Sequence, residues 1–133
     1  MNKELRIKVI DIARSARKWT ELKASKANYR PDDLCGWCAI SAGHLFRELS
    51  NADIPAELHY TSGHCYVVID DYIVDVTATQ FHEFKNKEIN IIHIKEAEPY
   101  HFYRTTDIFK HPSELREHQI RNNWPRRQIC LTR

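Results

Sequence analysis

The hydrophobic period of this chain changes once, near Pro55, and that change limits the fold more than any other feature. From residue 3 to residue 25, Leu5, Val9, Ile12, Ala13, Ala16, Trp19 and Leu22 recur at helical spacing with basic side chains between them. This predicts one amphipathic helix with Trp19 in the core. A connector, Ala27 to Asp33, contains Pro31 and two aspartates. Trp37 to Leu49 then fits a second helix through Cys38, Ala42, Leu45, Phe46 and Leu49, ended by Ser50-Asn51-Ala52-Asp53. Beyond Pro55 the runs are short and β-rich: residues 57–61, 64–69, 72–77 and 89–94. A short helix is expected around Pro112 to Arg121, followed by an irregular tail through Trp124-Pro125. Helices followed by strands predict an α+β domain in which the N-terminal helices pack on one face of a mostly antiparallel sheet.

The 133 residues, 42% hydrophobic, suffice for one domain spanning 1–133 and one core. There is no apolar run long enough for a membrane span and no basic tip followed by an apolar signal segment, so the expectation is a cytoplasmic protein; delivery into another cell is left open. The net charge is +2, with basic residues crowded into the first and last segments. They read as solvated helix faces rather than a nucleic-acid surface. Oligomeric state is not legible. Four cysteines (35, 38, 65 and 130) in a chain of this size, without an export signal, are expected to be reduced.

Cys35 and Cys38 lie in the stretch Asp33-Leu34-Cys35-Gly36-Trp37-Cys38-Ala39-Ile40. Cys38 falls at the first turn of the second helix, where the partial positive charge and backbone N–H groups of a helix N-terminus favour a thiolate. Cys35 lies about one turn upstream, in the connector. Alone, each could equally be a small buried hydrophobe.

Further along, a histidine opens one strand and an aspartate interrupts the next. If Asp70-Asp71 is a two-residue turn, Ile69 faces Tyr72, Tyr66 faces Asp75 and His64 faces Thr77. Side chains alternate with period 2, so His64 and Asp75 share a face as diagonal neighbours. Asp75 is also the odd residue in Tyr-Ile-Val-Asp-Val-Thr, a carboxylate that costs several kcal/mol in an apolar run unless it is paired. His64 is its natural partner. The alternative is that Asp75 caps a loop and His64 is a core histidine.

The stretches "CGWCAISAGHLFREL" and "GHCYVVIDDYIVDVTATQF", in that order, resemble the papain-like cysteine peptidase superfamily, and within it the transglutaminase-like branch. The resemblance covers about Cys35 to Phe81. It implies Cys38 as nucleophile, His64 as general base and acid, and Asp75 as orienter, with no cofactor and no metal. Papain-type enzymes place a glutamine upstream of the nucleophile as an oxyanion donor, and the stretch Asn28 to Trp37 has none. Asn28, Trp37 and Gln80 are the remaining candidates for oxyanion or substrate contacts, beside the backbone N–H of Cys38.

The implied reaction is acyl chemistry on an amide of a peptide or protein, most simply hydrolysis. Glutamine deamidation and acyl transfer use the same three residues. The small chain, with no lid domain or cofactor motif, suits an open groove for an extended peptide or a protein side chain. A non-enzymatic protein-binding module on the same fold is the alternative from another class. A thioredoxin-like pair would require an apolar strand before Cys35, and Tyr-Arg-Pro-Asp-Asp-Leu is not one. A zinc site from Cys35, Cys38, His64 and Cys65 is awkward because adjacent strand residues 64 and 65 point to opposite faces.

Overall fold

The computed structural model describes residues 1–27, 37–61 and 64–122. Helix α1, Lys3–Lys26, begins at Asn2, whose side-chain oxygen accepts the Leu5 N–H at 2.8 Å and so satisfies one of the four donors that a helix start leaves without an internal partner. Its fully buried positions are Val9, Ala13, Ala16, Thr20 and Ala24, with Arg17 beside them. This is a stripe of mostly small side chains, and it lets α1 approach α2 (Cys38–Asn51) closely. The two helices are locked by a buried hydrogen bond of 2.7 Å between the Thr20 and Ser41 hydroxyls.

The expected apolar face is therefore rotated in part. Trp19 is only half-buried, stacked on His44 of α2 at 3.9 Å with the Lys23 ammonium 5.5 Å from its ring centroid, and Leu22 is 64% exposed. A tryptophan is too bulky for a seam built from Ala and Thr, so it packs at the rim.

Strands β1 (Glu57–Tyr60), β2 (Cys65–Ile69), β3 (Tyr72–Asp75), β4 (Asn90–His93) and β5 (Asp107–Phe109) form one antiparallel sheet in the order β4-β3-β2-β1-β5. The β2–β3 turn is the expected one. Asp70 and Asp71 sit at φ 48° and 64°, left-handed values that a two-residue hairpin turn requires and that Asp tolerates, and Ile69 pairs with Tyr72. The edge strand β5 adds to the expected set; at three residues it is too short to show an alternation in the sequence.

Period-2 alternation divides the sheet's side chains between two cores. Leu58, Val67, Ile69, Val74 and Val76 pack against α1, α2 and Leu115 of α4 (Pro112–Asn122), which is the helix-on-sheet layer. Tyr66 and Ile73 face the other way. They are covered by Phe81, which lies between two 3-10 turns, by Phe102 and Tyr103 of a third, and by Ala97 of the one-turn helix α3 (Ile94–Ala97). Phe81 and Phe102 stack at 3.8 Å within this second core. The N-terminal helices thus lie on one face of the sheet, as expected, and an aromatic layer with α3 lies on the other.

Candidate active site

Cys38 is the first residue of α2, His64 immediately precedes β2, and Asp75 is the last residue of β3. Two backbone contacts fix His64 just outside the strand: Thr61 N–H donates to the His64 carbonyl at 2.8 Å, and His64 N–H donates to the Thr61 hydroxyl at 2.9 Å. The hairpin register places Asp75 within reach of the ring, and His64 Nε2 lies 2.6 Å from Asp75 Oδ2. The Cys38 side chain is hydrogen-bonded to the same ring. With Nε2 committed to Asp75, Nδ1 is the nitrogen available to the sulfur. The imidazole thus bridges the helix layer, from which Cys38 comes, and the aromatic face of the sheet, to which Asp75 belongs.

All three groups are almost wholly removed from water: His64 is 0%, Cys38 1% and Asp75 1% exposed. Phe81 meets the His64 ring edge-on at 4.7 Å, with Tyr66, Phe102 and Tyr103 around it. Such burial alone pushes a histidine toward its neutral form. Here the adjacent Asp75 carboxylate, the hydrogen bond to it and the Cys38 side chain outweigh burial and raise the His64 pKa to about 10. Asp75 behaves in the mirror sense. Burial would raise it, but His64, the Thr77 backbone N–H and the Tyr103 hydroxyl hold it below its ordinary value. His64 and Asp75 therefore form an imidazolium–carboxylate pair at neutral pH.

The carboxylate is saturated with donors. Oδ1 accepts the Thr77 N–H at 2.9 Å and the Thr77 hydroxyl at 3.3 Å, while Oδ2 accepts the Tyr103 hydroxyl at 2.8 Å as well as His64. The Asp75 to Thr77 contact is a local Asx-type turn, legible from the Asp-Val-Thr spacing once Asp75 is suspected. Tyr103 and its partner Asn90 come from distant segments and carry no local signal. Arg17, in sequence one of the solvated basic residues of the first helix, is only 4% exposed. It donates to the Val76 carbonyl at 3.0 Å and the Thr79 hydroxyl at 2.9 Å, and it meets Glu21 at 3.3 Å. It ties α1 to the segment that follows Asp75.

Gln80 lies beside the ring. Its amide nitrogen packs 3.4 Å from His64 Nδ1 and donates to the Thr77 carbonyl at 3.1 Å, which braces the turn after β3. Trp37 sits at the N-cap position of α2, packed with Ala24 and Ile40. Asn28, Cys35 and Cys130 lie outside the described residues, as do the connector around Pro31 and the tail through Trp124-Pro125. Cys65 is a buried thiol whose pKa is pushed well up by burial and by the nearby Cys38 and Asp75. Among the described residues no group of three or more His, Cys, Asp or Glu side chains is arranged to hold a metal ion, and no helix is long and apolar enough to cross a membrane.

Comparison of the chain with models of protein families, with curated proteins and with solved structures finds no match.

Proposed function

We propose that this chain is a cysteine-dependent enzyme with a papain-like core, of the transglutaminase-like kind, which hydrolyses an amide bond in a peptide or protein. The observation that carries the reading is the buried His64 ring, hydrogen-bonded to the Cys38 side chain and, through Nε2 at 2.6 Å, to Asp75. A thiol at a helix start, a histidine on it and a carboxylate behind the histidine are the parts that nucleophilic acyl chemistry requires.

In the resting site the proton of Cys38 already lies on the His64 imidazolium, and the thiolate sulfur attacks the amide carbon to form the C–S bond. The oxyanion is met by the backbone N–H of Cys38 at the first turn of α2. His64 gives its proton to the departing amine as the C–N bond breaks, leaving a thioester and a neutral ring. Water, deprotonated by His64, then adds to the thioester carbon; the C–S bond breaks, the acid departs, and the thiolate is left beside the recharged imidazolium. Asp75 keeps one ring nitrogen occupied throughout, so that the other faces the sulfur. The aromatic wall keeps the ring in a medium where these charges interact strongly.

Two measurements test this. Near pH 6, iodoacetamide should alkylate Cys38 faster than an ordinary thiol, and His64→Ala should remove the excess; equal rates for all four cysteines, unaffected by the substitution, would sink the proposal. Mass spectrometry of a peptide library incubated with wild type and Cys38→Ala should show cleavage with the former alone. A deamidation mass gain or an amine adduct in place of cleavage would reassign the reaction to glutamine deamidation or acyl transfer.

A further inference from the structure

Asp75 shares one oxygen between two donors, and only one of them is the histidine. Tyr103 donates to Oδ2 at 2.8 Å from a 3-10 turn 28 residues further along the chain. The direction of this bond is fixed by its surroundings. The ionised carboxylate has no proton to give, and the Asn90 side-chain amide donates to the phenol oxygen at 3.0 Å, so the one phenolic proton is directed at Asp75. Asn90 is also the residue paired with Asp75 across β3 and β4, so one cross-strand pair grips the hydroxyl from both sides. The backbone of Tyr103 is held in turn, because the Tyr66 hydroxyl donates to its carbonyl at 2.8 Å. Tyr103 is 7% exposed and Asn90 3%.

We propose that Tyr103 is a positioning residue for the site: its hydroxyl, oriented by Asn90, keeps Asp75 ionised and turned toward His64. This rests on the reading of Cys38, His64 and Asp75 as an acyl-transfer site and extends it by one residue. A phenol deep in this site gives up its own proton only with difficulty, since burial and the Asp75 charge push Tyr103 well above its ordinary value. It therefore remains a donor over the whole range in which His64 is charged. The other titratable groups around Asp75 are His64 in direct contact, Tyr66 and Cys65 of β2, and Cys38 of α2 beyond the ring.

The test follows the His64 Nε2–H proton by NMR in a chain labelled with nitrogen-15 histidine, titrated toward acid, in wild type and in Tyr103→Phe. One hydrogen bond to a buried charge is equivalent to about one to two pH units, so the midpoint at which acid abolishes the Asp75-bonded signal should rise by about one unit in the variant. The acid limb of Cys38 alkylation should move upward with it. Asn90→Ala, which keeps the phenol but removes its orienting donor, should give a smaller shift in the same direction. An unchanged midpoint in folded Tyr103→Phe overturns the inference, whatever the change in melting temperature; if that variant does not fold, an unchanged midpoint in Asn90→Ala does the same. Failure of the underlying functional reading looks different: Cys38 of the wild type would alkylate like an ordinary thiol while the midpoint still shifted.

Discussion

Replacing Asp75 by asparagine removes one charge and almost no volume, which makes it the sharpest probe of the site. In the wild type Oδ2 accepts from His64 and from Tyr103, at 2.6 and 2.8 Å. An asparagine that keeps its oxygen toward the Thr77 N–H presents an NH2 group to both donors. His64 must then lose its Nε2 proton to accept from that NH2, and the Tyr103 hydroxyl loses its acceptor. The carboxylate supplies most of what lifts His64 from its ordinary 6.5 to about 10. Without it, burial governs and the ring should titrate below 6.5, leaving it neutral at pH 7. A rise of about three and a half pH units corresponds to roughly 5 kcal/mol of differential interaction, and breaking a buried ion pair costs about 3–5 kcal/mol in general. We expect Asp75→Asn to lose about 3–5 kcal/mol of stability in denaturant unfolding, and NMR titration of the His64 ring should show the fallen pKa. The excess reactivity of Cys38 near pH 6 should disappear. A His64 that still titrated above pH 8 in the variant, or a stability loss under about 1 kcal/mol, would refute the ion-pair account.

The same pair sets a pH window. His64 is raised, so its contribution is fully present below its ordinary 6.5 and is lost as pH climbs through about 10. Asp75 is depressed, so its contribution is present above its ordinary 3.8 and is lost as pH falls through its lower folded value. Melting temperature should be nearly flat between about pH 5 and 6.5, fall steadily as pH climbs from there toward 10, and fall again below about pH 4; a melting temperature unchanged between about pH 6.5 and 9 would contradict it. Arg17→Met should cost about 2–3 kcal/mol by leaving the Val76 carbonyl and Thr79 hydroxyl without their partner. It should also slow Cys38 alkylation, because the segment it holds directly follows Asp75; unfolding and alkylation measured on one preparation check both. Gly43→Ala should stabilise the chain by about 0.5–1 kcal/mol, since Gly43 lies inside α2 and, among the described residues, an added Cβ would meet only Arg47 and Leu115 atoms at 3.6 and 3.7 Å. A lower denaturation midpoint for that variant would show the α2–α4 contact to be tighter than those distances imply.

The legible parts of the fold are those set by local chemistry. Asp70-Asp71 makes a left-handed turn, the turn sets the register, and the register brings His64 to Asp75 through alternation alone. A carboxylate inside Tyr-Ile-Val-Asp-Val-Thr demands a partner on energetic grounds alone. What escapes the sequence is set by packing between distant segments. The buried stripe of α1 follows its small residues because α2 comes close, which no periodicity of α1 alone reveals, and so Trp19 lies at the rim. The aromatic layer of Phe81, Phe102 and Tyr103 comes from 3-10 turns and the link between two of them, which have no period, so nothing in the pattern marks the second face of the sheet. Tyr103 and Asn90 are hidden with it. Both are ordinary residue types in the sequence, and they meet Asp75 only because β4 pairs with β3 and the turn at His101–Tyr103 folds over them.

The two described cysteines differ in their neighbours, although both are about 1% exposed and both belong to the helix-side core. Cys65 is the covalent neighbour of His64, yet the strand's alternation turns its side chain to the helix-side core while the ring joins the aromatic face. Burial and two nearby negative groups outweigh the Tyr66 backbone hydrogen bond and keep it protonated. Cys38 is distant in sequence, but α2 delivers it to the ring itself, opposite a carboxylate that has already made the ring cationic. On the proposed reading, nucleophilicity depends on which face of the sheet the histidine takes. A one-residue slip in the β2–β3 register would exchange the faces of His64 and Cys65 and separate the ring from Asp75, which on the proposed reading leaves neither thiol with a partner that activates it. Inserting a glycine between Asp70 and Asp71 should produce that outcome: a chain that binds no imidazolium to Asp75 and alkylates Cys38 and Cys65 equally slowly. A Cys38 that kept its lead over Cys65 in the insertion variant would show that the helix start alone, without the histidine, makes the thiol reactive.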